Sequence, residues 1–397
     1  MIRSGITACL GLMLLSAVSG TVLPSPGPQL EIRTGASRIE AYLSLLQGKR
    51  VALLINATSL VGSSNLLDTL LSLGVHVEKV FSPEHGFRGI ADAGATVENS
   101  IDPATGIPVI SLYGPHTTPS AADLSDVDLM VYDIQDVGVR FYTYISSMQR
   151  FMEAAARYQK PLIILDRPNP NGSIVDGPVL DSGFRSFVGL QRIPICYGMT
   201  IGEYATMLNQ KGWLAGGLHC NLRVIRCLNY THHSIYILPT RPSPNLPDMA
   251  SVYLYPSLCL FEGTSVSVGR GTSHPFSCFG EPDFPHRLYS FIPRSVPGAT
   301  DPPYPDDTCY GENLWAPPAR VRAILRGHFS LRWLLQAYRL CPDKAKFFKP
   351  YFNKLAGDST LKIQILAGWP EKKIRESWAP DLERFRALRR KYLMYPM

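Results

Sequence analysis

The sequence predicts an α/β protein in which a Rossmann-like parallel-sheet domain is followed by a smaller α+β domain. Three observations predict it. Up to about residue 235, short runs that are apolar throughout alternate with helical segments, as strands buried on both faces do between covering helices. Each of those runs ends in a polar cluster, the arrangement of a sheet whose carboxyl edge carries a site. Near Tyr236 the alternation stops and proline becomes frequent. The expected organisation is a signal peptide over residues 1–20, a Rossmann-like domain over 21–235 and an α+β domain over 236–397.

In chain order, residues 1–20 carry one cation (Arg3), an apolar run over 6–18 and small residues at Ser19 and Gly20, which reads as a secretory leader and an exported protein, periplasmic or extracellular. Ile6-Thr7-Ala8-Cys9 loosely matches a lipoprotein box, but cleavage there would leave almost no apolar leader, so lipidation is set aside. Elsewhere no run approaches the roughly 18 apolar residues of a membrane span. Residues 37–47 carry Ser37 as a cap, Glu40 three residues on, and a helical apolar pattern. Strands are expected at 50–55, 75–81, 108–112, 128–134, 161–165 and 221–227. Helices are expected at 65–73, near Ala121, at 143–158 and at 200–211, the last with Thr200 and Glu203 as a capping box. Beyond residue 331 the chain reads as helical, with an amphipathic segment over 381–392.

The formal charge is +7, falling by one if Arg3 leaves with the leader. The cations cluster at 320–332 and 384–391, where helical surfaces account for them better than a nucleic-acid groove does; a mild positive field favours an anionic substrate or cell wall. Of eight cysteines, seven remain beyond Cys9, with no C-x-x-C pair. That is a poor zinc or redox signature, so buried thiols are expected for most, with one or two disulfides left open. His219, His232 and His233 match no ligand spacing, and neither G-x-G-x-x-G nor G-x-x-x-x-G-K-[ST] follows the first strand, so no metal or cofactor is expected. The absence of G-x-S-x-G weakens a serine esterase; Cys196 beside Tyr197 is the only other nucleophile position to consider for ester hydrolysis.

What remains is a crevice rich in carboxylates, aromatic rings and arginine, an inventory that suits a carbohydrate. Its first wall is Ser82-Pro83-Glu84-His85-Gly86-Phe87-Arg88-Gly89, directly after a strand. Glu84 reads either as a general acid near Phe81 and Phe87 or as an ion-pair partner of Arg88. Asp133 and Asp136 are candidates for base, nucleophile or electrostatic stabiliser. Asp133 sits nearest its strand and Asp136 is able to cap its tight turn, so each also has a structural reading. Candidate substrate contacts are His85, Arg88, Gln135, Arg140, Tyr142, Tyr144, Arg167 and Asn169, with Asn245, Glu262 and Arg270 from the second part. Arg167, held between prolines, and Arg270, held between glycines, are each placed to grip a carboxylate or to brace a loop.

The segments FSPEHGFRG, SLYG, VYDIQDVGVRFYTYI, LDRPNPNG, DGPVL, SFVGLQRIPICYGMTIGEYA, PSPNLP and FEGTSVSVGRGTSHPF resemble the bacterial exo-β-N-acetylmuramidases of glycoside hydrolase family 171, the NamZ type. The resemblance covers nearly the whole mature chain and is weakest after Gly280. It implies a Rossmann-like domain, a smaller C-terminal domain, a cleft between them, and removal of N-acetylmuramic acid from the non-reducing end of peptidoglycan fragments, as in cell-wall turnover. It makes Glu84 of the PEHG motif the leading catalytic residue; as its partner we place Asp136 ahead of Asp133, with the 2-acetamido group of the substrate as a substitute. Tyr197 departs from the family pattern, which often has His there. A non-catalytic module binding cell-wall sugar in the same crevice is the competing class.

Overall fold

Val51 to Ile55 is buried at every position, and its alternate side chains feed two different cores: Val51, Leu53 and Ile55 pack into one, Ala52 and Leu54 into the other. A strand of this kind has no solvent face and must lie inside a sheet covered on both sides. The computed structural model describes residue 1, residues 30–87 and residues 98–397, so the leader beyond Met1 lies outside the described residues, as does Arg88. Ile32–Met397 forms one compact unit.

Apart from a small hairpin of Leu60–Val61 with Ser64–Asn65, the first strands are β1 (Val51–Ile55), β2 (Val77–Ser82), β3 (Ser100–Ile101), β4 (Pro108–Ser111), β5 (Leu129–Asp133) and β6 (Leu162–Leu165). A hairpin, β7 (Val175–Val179) with β8 (Pro194–Tyr197), precedes β9 (Leu222–Ile225). Seven of these form one sheet in the order β9-β6-β5-β1-β2-β4-β3, parallel except for the edge strand β3. The chain therefore starts in the middle, runs out through β2 and β4, and returns to β5 on the other side of β1. That reversal is the topological switch point, outside which α/β proteins place their ligands.

Helix α1 (Leu66–Ser72) is capped by Asn65, whose Oδ1 accepts from Leu67 N at 3.0 Å. Helix α2 (Tyr144–Arg157) follows β5, and α3 (Ile201–Gln210) starts on the expected Thr200–Glu203 capping box. The chain then supplies α4 (Met249–Leu258), buried on all sides, and a three-stranded antiparallel sheet of β10 (Cys278–Glu281), β11 (Tyr289–Phe291) and β12 (Cys309–Asn313). Helices α5 (Pro318–Leu325), α6 (Arg332–Leu340) and α7 (Glu371–Arg389) follow, with short helices at Lys344–Phe347, Phe352–Ala356 and Thr360–Leu366 between the last two. The larger core runs without a break from the sheet into these helices; each large apolar side chain in it contributes about 1.5–3 kcal/mol. The end of the chain returns to the sheet: Tyr395 donates to Asp166 at 2.6 Å and Met394 N to Glu203 at 2.7 Å.

Two expected helices take another form. Around Ala121 the chain makes turns, because Ser120 and Asp123 close on each other and the Asp123 carbonyl accepts from Lys79 Nζ at 3.0 Å rather than continuing a helix. Residues 37–47 hold a short 3-10 turn (Ile39–Ala41) and a four-residue helix (Leu43–Leu46), with the Ser37 hydroxyl bonded back to Thr34 O instead of capping. The cysteines from Cys196 to Cys341 are all free and buried. No helix among the described residues is long and apolar enough to cross a membrane.

Candidate active site

Pro83 has no N–H to donate and ends the β2 ladder. The turn that follows closes by Gly86 N donating to Pro83 O at 3.0 Å, and it needs φ of +70° at His85 and +76° at Gly86. For a residue with a Cβ, that conformation costs about 1 kcal/mol. Glu84 stands at the corner of this turn, half-buried. Tyr113, just past β4, donates its hydroxyl to Glu84 Oε1 at 3.0 Å, and Thr143 donates to Oε2 at 2.7 Å. Burial first, and then the Glu84 carboxylate, push the Tyr113 phenol up, so it stays a donor.

Thr143 reaches Glu84 because the loop between β5 and α2 is held from behind. Asp133 and Arg167 form a bidentate pair (2.5 and 2.8 Å), both fully buried, and Arg167 also donates to Leu60 O. Gln135 donates to Asp136 O and Pro168 O. Asp136 Oδ2 accepts from Gly138 N at 2.6 Å and from the Tyr197 hydroxyl, while Oδ1 is buried without a partner. Burial raises the Asp136 carboxyl to about 6 against the hydrogen bonds that lower it. Gly138 has φ +80°, and a Cβ there would lie 2.3 Å from Asn169 Oδ1. Arg140 is buried completely and donates to the carbonyls of Pro178, Ile193, Leu355 and Ala356, tying the loop to the C-terminal region. Burial lowers its guanidinium to about 10.

In front of this loop lies a cleft of about 480 Å³. Phe141, Tyr142, Tyr144, Tyr255 and Phe276 wall it, with Phe187 and Tyr351 at its sides. Tyr142 and Tyr144 meet edge to face at 4.8 Å, and Tyr142 donates to Pro242 O at 2.7 Å. The second part of the chain adds Asn245, whose amide donates to Gly298 O, and an ion pair in which Arg270 Nε and Nη2 each lie 2.7 Å from Glu262 Oε1. The Arg270 guanidinium stands 5.0 Å from the Phe276 ring centroid. Burial pulls the Arg270 pKa down, but Glu262 more than offsets this and raises it, so the charge persists.

The cleft thus gathers Glu84, His85, Tyr142, Tyr144, Asn245, Glu262 and Arg270. Asp133, Gln135, Asp136, Arg140, Arg167 and Asn169 do not line it: each is buried with partners inside the protein, Asn169 through Met199 O and Asn171 N. Arg88 lies outside the described residues. Sequence reasoning passed over Phe187, Tyr255 and Tyr351. The first and last come from distant irregular stretches, and Tyr255 sits in a helix that is apolar all round and shows no preferred face.

A carboxyl held by two hydroxyls among aromatic faces, at the carboxyl edge of a doubly wound sheet, defines a saccharide-type site. Comparison with known proteins makes the class specific. Residues 51–250 match the family described as exo-beta-N-acetylmuramidase NamZ, N-terminal, and residues 253–395 its C-terminal counterpart; the chain belongs to this family. It is 35% identical over 388 residues, 92% of each chain, to the peptidoglycan beta-N-acetylmuramidase NamZ of Bacillus subtilis (strain 168). A solved DUF1343 family protein from Bacteroides fragilis NCTC 9343 is 44% identical with TM-score 0.85, over 92% of this chain and 99% of that one. A second from the same organism is 29% identical with TM-score 0.73, over 93% and 100%. The family resemblance drawn from the motifs holds.

Proposed function

We propose that this protein is an exo-acting β-N-acetylmuramidase that releases N-acetylmuramic acid from the non-reducing end of peptidoglycan fragments. The observation that carries the reading is the Glu84 carboxyl, held between Tyr113 and Thr143 in an aromatic-walled cleft, in a chain of this family. Glu84 protonates the leaving oxygen; a hydroxyl both donates and accepts, so Thr143 serves the neutral and the ionised carboxyl alike. The aromatic rings take the faces of the sugar. Arg270, with its charge maintained, receives the lactyl carboxylate by a charge-assisted bond. Arg167 is spent on Asp133 and takes no part in binding.

Among the described residues the carboxyls lining the cleft are Glu84 and Glu262, and Glu262 is engaged with Arg270. We therefore assign the nucleophile's role to the 2-acetamido group of the substrate: its carbonyl oxygen bonds to the anomeric carbon as the glycosidic C–O bond breaks and Glu84 protonates the departing oxygen, and water, giving its proton to the Glu84 carboxylate, then opens the oxazolinium ion, so configuration is retained. Asp136 and Asp133 become positioning residues of the loop that delivers Thr143. The leader-like residues 1–20 support a site of action outside the cytoplasm, to be checked by the N-terminus of the mature protein in a fractionated cell. Digestion of N-acetylmuramoyl-terminated peptidoglycan fragments, followed by mass spectrometry and early NMR of the product, tests the function. Free N-acetylmuramic acid appearing first as the β-anomer is expected; saturable binding with no released sugar would instead make the protein a cell-wall lectin.

A further inference from the structure

Three arginines of the 320–332 cluster, Arg320, Arg326 and Arg332, are absent from the cleft lining and border two adjoining hollows. One, of about 690 Å³, is lined by Arg320, Arg326, Arg332 and Arg375 together with Glu371, whose Oε1 accepts from Leu331 N; the other, of about 310 Å³, by Trp315, Trp333, Glu312, whose Oε2 accepts from Gln336, and the shared Arg320, Ile324 and Arg332, so cations outnumber carboxylates in both. Arg375 is paired with Asp176, but among the described residues no carboxylate lies within ion-pair distance of Arg320, Arg326 or Arg332. Arg320 and Arg332 sit in the first turns of α5 and α6, where the helix dipole disfavours a cation. Trp315 is 46% exposed and Ile324 50% exposed. The indole is nevertheless fixed: its Nε1–H donates to Asp248 Oδ2 at 3.0 Å and its ring packs against His274 at 5.2 Å. An exposed aromatic plate held in place loses little entropy on binding, and the negative face of the ring suits the C–H face of a sugar.

We propose that this groove is a second binding site, for polymeric peptidoglycan: Trp315 takes a sugar of the glycan strand, and Arg320 and Arg332 take the carboxylates of its peptide stems. Charge complementarity and the aromatic plate together favour a glycan that carries carboxylates. The site holds the enzyme on the wall while chain ends are processed in the cleft. It deepens the muramidase reading and rests on it.

The test uses Glu84→Gln protein, which binds without digesting, co-sedimented with insoluble peptidoglycan stripped of phosphodiester polymers. Adding Arg320→Glu with Arg332→Glu, or Trp315→Ala alone, is expected to weaken sedimentation roughly tenfold or more. The arginine pair, both exposed, guards against a misfolded tryptophan variant. On the active background the same changes are expected to leave kcat/KM for a small chromogenic N-acetylmuramide within about twofold. Unchanged sedimentation would overturn the proposal, as would retention that needs the phosphodiester polymers, or self-association of the protein that the substitutions abolish. Failure to turn over the small muramide would instead sink the reading of the cleft, which the sedimentation result does not touch.

Discussion

Arg167 and Arg270 look alike in the sequence, each a cation in a rigid loop, and the structure gives them opposite surroundings. Arg167 is sealed with Asp133 in the interior, whereas Arg270 lines the cleft beside Phe276. Their substitutions should therefore fail differently. Arg167→Met leaves a buried carboxylate unpaired and is expected to cost about 3–5 kcal/mol in urea unfolding. Arg270→Met is expected to lower kcat/KM for a chromogenic N-acetylmuramide roughly 10- to 100-fold, the worth of a charged hydrogen bond. An N-acetylglucosaminide, which has no lactyl carboxylate, should be little affected; an equal loss on both sugars would mean that Arg270 only braces Glu262.

At the scale of elements, the loop between β5 and α2 sets the site by carrying Thr143 and Tyr142 to Glu84. Its geometry depends on Gly138 at φ +80°, packed against Asn169. Gly138→Ala is expected to cost about 1–3 kcal/mol of stability and to reduce kcat by displacing Thr143, both read on one purified variant. The strands of the parallel sheet and the capped helices were legible in the sequence because their signals are local: apolar runs, Asn65, and the Thr200–Glu203 box. The direction in which each polar strand end faces was not legible. Asp133, Gln135 and Asp136 turn inward to partners supplied by residues 167, 168 and 197, and only the assembled sheet brings those near. In the same way, Phe187 and Tyr351 reach the cleft through contacts far apart in the chain.

The whole molecule carries a pH dependence from its buried acids. Burial raises Asp136 to about 6, and likewise Asp166, from the ordinary 3.8. Such groups favour the fold while protonated, so their contribution is complete below pH 3.8, shrinks as pH rises through about 6 and is flat above. Comparing urea midpoints of the parent and Asp136→Asn isolates the Asp136 share. The parent is expected to lose about 3 kcal/mol relative to the variant between about pH 4 and 6; parallel pH profiles would show that Asp136 titrates normally. The central claim, that Glu84 performs glycoside hydrolysis in this cleft, is tested most directly by initial rates on a chromogenic N-acetylmuramide. The parent should release the chromophore, and Glu84→Gln should bind the substrate but turn it over roughly 10²- to 10⁴-fold more slowly. Near-normal turnover by Glu84→Gln would contradict the account.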